Sequence, residues 1–169
     1  IRQRPFDVVA NPEETPKSIF ISTFDTAPLA PDLNLAVEGK EDIFWKGLEV
    51  LTKLTDGKVH LGLDARKKTA PAKAFTEANI EGVEKHWYRG AHPAGNVGIH
   101  IHHVDPVLPG SPAVWHLNVH AVLLIGNIFL NGKFDTERLI AVTGAELEEP
   151  YYAWAHQGIS LESLLESMP

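Results

Sequence analysis

The sequence predicts an α/β fold in which a parallel sheet is covered by helices on both faces, and three observations predict it. Short β-rich runs alternate with helical apolar stripes, the rhythm that parallel strands impose because each needs a crossover to reach the next. The runs end in turn chemistry such as Asp25-Thr26-Ala27-Pro28, Asp56-Gly57 and Asn131-Gly132. A chain of 169 residues with 44% hydrophobic content and a mean hydropathy of -0.10 suffices for one domain with a real core, or for one domain and part of a second.

Residues 1–17 carry Pro5, Pro12 and Pro16 among mixed charges and read as an extended lead-in segment. Residues 18–24, S-I-F-I-S-T-F, form the first strand. Pro28 and Pro31 then argue against helix until about Glu38. From Asp42 onward Phe44, Leu48, Leu51 and Leu54 recur at helical spacing, and Asp56-Gly57 closes that helix. Residues 59–63 make a second strand that ends at Asp64. Thr69, with Pro71 two residues on, marks a helix start, and residues 70–78 form the second helix. Residues 83–88 are the third strand. In the stretch that follows, two patterns stand side by side. Ile99 and Ile101 alternate with histidines as in a strand, while Val97, Ile101 and Val104 make a helical stripe that suits the β-loop-α rhythm better. Residues 114–119 are the fourth strand, 121–130 a mostly apolar helix and 139–143 a last strand. Beyond Gly144 the chain turns acidic, carries Tyr151, Tyr152 and Trp154, and closes with a short helix around residues 161–166. That tail reads as the start of a second module.

The net charge of -7, with no basic run beyond Arg66-Lys67-Lys68, argues against a nucleic-acid partner. The triplet itself reads as a solvated approach to a helix. The absence of cysteine excludes disulfides, thiolate metal sites and cysteine-ligated iron–sulfur clusters. No apolar run approaches the ~20 residues needed to span a bilayer, and residues 121–130, the longest, include Gly126 and Asn127. The chain opens at Ile1 without a signal peptide and is expected to be an internal piece of a larger polypeptide, with any membrane contact made by other segments or subunits.

Residues 90–105, G-A-H-P-A-G-N-V-G-I-H-I-H-H-V-D, concentrate three glycines, one proline and four histidines between two apolar segments. Glycines so placed mean that backbone turns tightly or approaches a ligand closely. Gly90, Gly95 and Gly98 match neither a phosphate loop, which needs a lysine after its second glycine, nor the dinucleotide pattern G-x-G-x-x-G. Amides at a helix N-terminus can still hold an anion; simple close packing is the alternative, and the spacing leaves both open. Nine histidines raise a metal hypothesis, with His100 and His102 sharing a strand face or His116 and His120 at i, i+4. No H-E-x-x-H occurs and no carboxylate accompanies the histidines in a ligand pattern, so no metal site is expected, and neutral histidines bonded to backbone are. Neither G-x-S-x-G nor a cysteine offers a nucleophile, and no catalytic residue is assigned. Asp25 and Asp32 flank the loop after the first strand, where ligands of open α/β sheets bind; capping a turn is the plainer role for each. Trp45, Trp87, Trp115 and Trp154 lie in apolar contexts and are expected in the core or at a domain contact.

The run H-P-A-G-N-V-G-I-H-I-H-H-V-D-P-V, followed by A-V-W-H-L-N-V-H-A-V-L-L-I-G-N-I-F-L-N-G, closely resembles the middle of the A-subunit family of bacterial sodium-translocating NADH:quinone reductases. The lead-in R-Q-R-P-F-D and the run S-I-F-I-S-T-F-D-T-A-P-L-A-P-D resemble the same family, so the resemblance covers essentially the whole chain. It implies a Rossmann-like domain over residues 18–137, related to the flavoprotein subunit of respiratory complex I and to the C-type subunit of the Rnf complex. The tail V-T-G-A-E-L-E-E-P…G-I-S-L-E-S-L-L resembles the opening of the β-grasp (SLBB) module of those relatives, which would begin within residues 138–169. Flavin-binding relatives carry G-x-G-G-A-G-F-P-T before the first strand, where this chain has R-Q-R-P-F. After that strand they carry an acidic N-G-D-E-type turn, where this chain has Thr23-Phe24-Asp25-Thr26. Together the resemblance and these departures imply a fold that persists while flavin and NADH binding is lost.

What the resemblance implies is a peripheral, non-flavin subunit of a respiratory sodium pump at the cytoplasmic face of the bacterial inner membrane. NADH and quinone are used by the whole complex, flavins sit in other subunits, and no cofactor is expected in this piece. The expected partners are other subunits, above all a membrane-embedded one, with quinone as a further ligand. Topology nominates His92, Pro93, Gly95, Asn96, Gly98 and Asp25 as the quinone- or ligand-facing residues. The alternative is a scaffold kept for its surfaces with no ligand at all; a metal-dependent enzyme using the histidines is a third reading.

Overall fold

The computed structural model describes residues 1–66 and 70–166. Lys67 and Lys68 of the basic triplet, and the helix start expected at Thr69, lie outside the described residues. The elements are β1 (Arg2–Arg4), β2 (Val8–Val9), β3 (Ser18–Ser22), α1 (Leu33–Val37), α2 (Glu41–Leu51), β4 (Val59–Asp64), α3 (Lys73–Thr76) and β5 (Val83–Tyr88), then α4 (Val97–Val104), β6 (Val114–Asn118), α5 (Val119–Asn131), β7 (Glu137–Val142), β8 (Tyr151–His156) and α6 (Leu161–Glu166). Six strands form one sheet in the order β2-β1-β6-β3-β4-β5, and β7 and β8 form a second. Strands β6, β3, β4 and β5 are mutually parallel. From β3 the chain moves outward to β4 and β5 and then crosses back to β6 on the other side of β3, so the topological switch point lies between β3 and β6. This is the α/β fold expected of the sequence.

Alternation along the strands divides the sheet into two unlike faces. Ile19, Ile21, Val59, Leu61, Leu63, Trp115 and Leu117 enter the main core with Phe44, Leu48 and Leu51 of α2, Val119, Val122 and Leu123 of α5, Phe75 of α3 and Val37 of α1. On the opposite face Phe20 and Val114 pack with Ile101 of α4, with Val97, Val104 and Val107 at the margin. Helices therefore cover both faces, but among the described residues α4 is the one helix packed on its side. Helices α2 and α5 cross in backbone contact: a Cβ on Gly126 would overlap the Ile43 carbonyl, and one on Gly47 the Val122 carbonyl.

Four expectations need correction or extension. Helix α1 starts two residues after Pro31, although no helix was expected before Glu38; Asp32 caps it, its carboxylate accepting the Asn34 N–H at 3.0 Å. A proline just ahead of a cap costs nothing, because the first N–H groups of a helix lack intrahelical partners anyway. The lead-in is extended, and in addition it forms a hairpin whose β1 runs antiparallel to β6. Residues 97–104 are helical, so His100 and His102 share no strand face, and His116 in β6 is separated from His120 in α5 by a change of element. Trp115 is buried, but Trp87 is 56% exposed because β5 is the sheet edge.

In the tail, β7 and β8 pair antiparallel as a separate two-stranded sheet, and α6 follows. This sheet docks beside α1, where the Tyr152 hydroxyl accepts the Asp32 N–H at 2.9 Å and the Lys40 ammonium lies 3.8 Å over the Trp154 ring. No helix among the described residues is long and apolar enough to cross a membrane.

Candidate functional site

The glycine-rich loop between β5 and α4 closes onto the carboxyl end of β3. It is built from successive turns, with Ala94 N–H donating to the Ala91 carbonyl and Asn96 N–H to the Pro93 carbonyl, each at 2.8 Å. Asn96 then caps α4, its side-chain oxygen accepting the Gly98 N–H at 2.8 Å. Gly95 is buried at the point of contact. Its N–H donates to the Thr26 hydroxyl at 3.1 Å, and its carbonyl accepts from the Ser22 hydroxyl at 2.9 Å. A Cβ there would lie 2.8 Å from the Thr26 nitrogen and 3.0 Å from the Asp25 Cα, so only glycine lets the two backbones meet.

Of the six nominated residues, the fold thus gathers His92, Gly95 and Asp25 around Thr26. The His92 Nδ1 lies 3.1 Å from the Thr26 hydroxyl. Asp25 caps its own turn, accepting the Ala27 N–H at 2.8 Å. Pro93 stands exposed at the loop tip and Asn96 is engaged in its cap. Gly98 lies apart, in a shallow recess of about 220 Å³ shared with Arg4, Pro5, Ile101 and His102.

Beside the loop, a cleft of about 180 Å³ opens at the carboxyl ends of β3 and β4, walled by Phe24, Pro31, Leu33 and Pro71 and edged by Asp25, Asp32, Asn34, Asp64 and Arg66. That is room for about six waters or one ring-sized molecule. The Arg66 guanidinium pairs with the Asp64 carboxylate through Nε at 2.9 Å and Nη2 at 2.8 Å, and this bond raises the Arg66 pKa and keeps it cationic. A larger, apolar groove of about 680 Å³ runs between the N-terminal hairpin and the proline loop, past Pro5, Phe6, Val8, Leu108 and Pro109.

The face of the sheet beneath α4 carries imidazoles. His116, Phe20, His60 and Glu84 sit side by side across β6, β3, β4 and β5. The Phe20 and His60 ring centroids are 4.5 Å apart, and His60 Nδ1 is 2.9 Å from His86 Nε2. From α4, His100 descends over Gly62 and stacks on Tyr88 at 3.8 Å, donating from Nε2 to the Ala94 carbonyl at 2.8 Å. Burial pulls His60, His100 and His116 below the ordinary imidazole pKa. At His116 the 2.7 Å bond to the Asp7 carboxylate opposes that shift without reversing it. One trio among the described residues has the makings of a metal site: His60, Glu84 and His86. Spacing in the sequence did not single it out, because the trio depends on the register between two strands. The one local signal is Glu84-x-His86, two residues apart and so on one face of a strand.

Residues 1–134 match the family model described as the NqrA second alpha/beta domain. The chain is 37% identical over 165 residues to the A subunit of the Na(+)-translocating NADH-quinone reductase of Rhodopirellula baltica, covering 98% of this chain and 35% of that protein. It is 38% identical over 164 residues to the protein of the same name from Yersinia pestis and to that from a Marinomonas species, in each case covering 97% of this chain and 35% of the relative. The chain thus spans about a third of the length of the curated relatives it matches.

Proposed function

The chain belongs to the NqrA second alpha/beta domain family, and from that membership we propose that it is the α/β portion of the A subunit of a Na(+)-translocating NADH:quinone reductase, serving the complex as a peripheral, non-flavin part. The relatives' names supply the complex. The observation that supports the non-flavin reading is the seat of Gly95 on Asp25 and Thr26. In open α/β sheets a nucleotide lies outside the carboxyl ends of the strands, and its phosphates need free amides at the following helix. Here the Gly95 N–H is bonded to Thr26 and the Gly98 N–H to Asn96, so neither of these loop amides is free for a phosphate. Electrons then pass through flavins in other subunits, and no residue of this chain takes a catalytic role. The domain sits at the cytoplasmic face of the inner membrane, against a membrane-embedded subunit.

FMN and NADH, each titrated in thermal-shift measurements against this chain and against the full-length protein, test this reading. Neither is expected to raise Tm. A ligand that binds only the folded form stabilises it in proportion to the logarithm of its concentration over Kd, so a saturable rise with either compound would end the non-flavin account.

A second reading has its own observation. The cleft at Asp25 adjoins the Thr26–His92 contact and offers apolar walls with one held cation, Arg66, a setting suited to a ring that carries carbonyl acceptors. On this reading a quinone headgroup approaches between Asp25 and the loop residues His92, Pro93, Gly95, Asn96 and Gly98. A short-chain quinone analogue should then bind the chain and lose affinity in His92→Ala. Equal binding by both proteins, or none by either, leaves the domain as an assembly scaffold.

A further inference from the structure

We propose that His60, Glu84 and His86 form a binding site for a divalent transition-metal ion, with zinc the ion that best fits the donors. The inference stands on the sheet alone and does not rest on the quinone reading. Strands β4 and β5 pair in parallel register with His60 opposite Glu84 and Gly62 opposite His86. Glu84 and His86 are two residues apart on one strand, so both project from the face that His60 shares. Gly62 contributes no side chain beside His86; its position is taken by the His100 ring, which lies over the Gly62 Cα and borders the trio on the α4 side.

The donor atoms converge. His60 Nδ1 lies 2.9 Å from His86 Nε2 and 3.8 Å from a Glu84 carboxylate oxygen, and the three ligand atoms all fall within 4.8 Å of one another. A four-coordinate zinc with bonds of about 2.0–2.1 Å holds its donors about 3.3 Å apart, a value bracketed by the two separations. A proton shared between the imidazoles accounts for the shorter distance but not for the carboxylate poised beside them. Two imidazoles and one carboxylate form the donor set of open zinc sites. The set is too nitrogen-rich for magnesium or calcium, and it lacks the sulfur that copper(I) seeks. His60 is buried against the Phe20 ring while Glu84 faces solvent, so one side of the ion is walled and the other is left to water. Bound there, the ion ties the edge strand β5, whose Trp87 is otherwise half in solvent, to its neighbour β4.

The test is a cobalt(II) and zinc(II) titration of the chelator-stripped full chain. One equivalent of cobalt should give the visible d–d absorption of a tetrahedral nitrogen–oxygen site, zinc should displace it, and zinc should raise Tm. Both Glu84→Gln and His86→Ala, at positions outside the main core, should weaken zinc by at least about 100-fold, since even supporting contacts around a metal are worth 10–100-fold. His102→Ala, on the exposed side of α4, should bind as the parent does. Circular dichroism shows whether each variant keeps its fold, and the cobalt spectrum of the parent needs no variant at all. The absence of that spectrum, or zinc affinity unchanged in both Glu84→Gln and His86→Ala, overturns the proposal.

Discussion

The two faces of one parallel sheet are filled on opposite principles. Toward α2 and α5 the strands present Ile19, Ile21, Val59, Leu61 and Leu63, all fully buried, and the helices answer with Phe44, Leu48, Leu51 and Val122. Toward α4 the same strands present Ser18, Phe20, Ser22, His60 and, across the sheet, His116. The first face is held by volume and dryness, and any apolar set of the right size would satisfy it. The second is held by particular partners: imidazole on imidazole, His100 on Tyr88, and Asp105 on Lys17 and Ser18. A face of the first kind responds to lost methylenes, whereas one of the second kind responds to protons and, on the inference above, to metal.

The largest effect should follow from emptying the dry face. Phe44 is fully buried and meets Phe75 edge-on, with centroids 5.2 Å apart. Phe44→Ala is expected to remove about 3–5 kcal/mol of stability, the usual cost of a vacated aromatic site, as measured by urea unfolding. His86→Ala, on the half-buried rim of the other face, removes the partner of the buried His60 Nδ1 and should cost a smaller amount, about 1–2 kcal/mol without metal. Equal losses would erase the distinction between the faces.

Acid should act next most strongly, and through the histidine face. The folded-state pKa values of His60, His100 and His116 all lie below the ordinary 6.5, chiefly because burial penalises the charged ring. The unfolded chain therefore binds more protons in the window just below that value. Stability is full above about pH 6.5 and declines as pH falls toward the folded pKa values. Urea midpoints should fall between pH 7.5 and 5.5, and the fall should be shallower in His100→Gln. His120, also lowered by burial at the start of α5, adds to the slope and remains in that variant. Phe44→Ala should shift the whole curve without changing its slope; a change in slope there would mean that the two faces are not independent.

A third contrast compares two glycines of the loop. Gly95→Ala places a Cβ against the backbone of Asp25 and Thr26, which has no side chain to swing aside, and should cost about 1–3 kcal/mol. Gly98→Ala meets side chains alone, the Asn96 oxygen at 3.2 Å and the Arg4 guanidinium at 4.0 Å. A helical alanine is worth about 1 kcal/mol over glycine, and some loss of the Asn96 cap offsets it, so the net change should stay within about 0.5 kcal/mol. If Gly95→Ala proves as harmless as Gly98→Ala, the loop is not pressed onto the end of β3.

Much of this architecture was legible in the sequence because its signals are local. S-I-F-I-S and V-H-L-G-L-D read as strands from their residues alone, and the stripe Phe44, Leu48, Leu51 reads as a helix without reference to anything else. What escaped depends on partners remote in the chain. Arg2–Arg4 and Val8–Val9 have too few residues to show a period, and they are strands only because β6 offers an edge to pair with. The glycine cluster announced a loop, yet nothing in its spacing told Gly95, which touches another backbone, from Gly98, which does not. The trio at His60 was out of reach for the same reason, since Glu84 stands beside it only through a parallel register set by a crossover.

The smallest difference lies between two ion pairs of like chemistry on opposite sides of the sheet. Lys46 and Glu49 meet at 3.0 Å on the outer side of α2, with Glu49 half exposed. Lys46→Ala should change stability by no more than about 0.5 kcal/mol, as exposed pairs one turn apart on a helix do. Lys17 and Asp105 meet at 2.6 Å on the histidine face, and the other Asp105 oxygen accepts from the Ser18 hydroxyl at 2.6 Å. Burial raises the Asp105 carboxyl, but the bonds from Lys17 and Ser18 outweigh it and hold the pKa below its ordinary value. Asp105→Asn should therefore cost about 1–2 kcal/mol at neutral pH, the worth of hydrogen bonds to a charged group. That increment should persist down to about pH 3.8 and vanish as pH falls through the lowered carboxyl pKa. Both measurements are feasible by urea unfolding at two pH values. A Lys46→Ala loss as large as that of Asp105→Asn would show that ion pairs contribute alike on both sides of the sheet, and that the α4 face owes its hold to something other than specific partners.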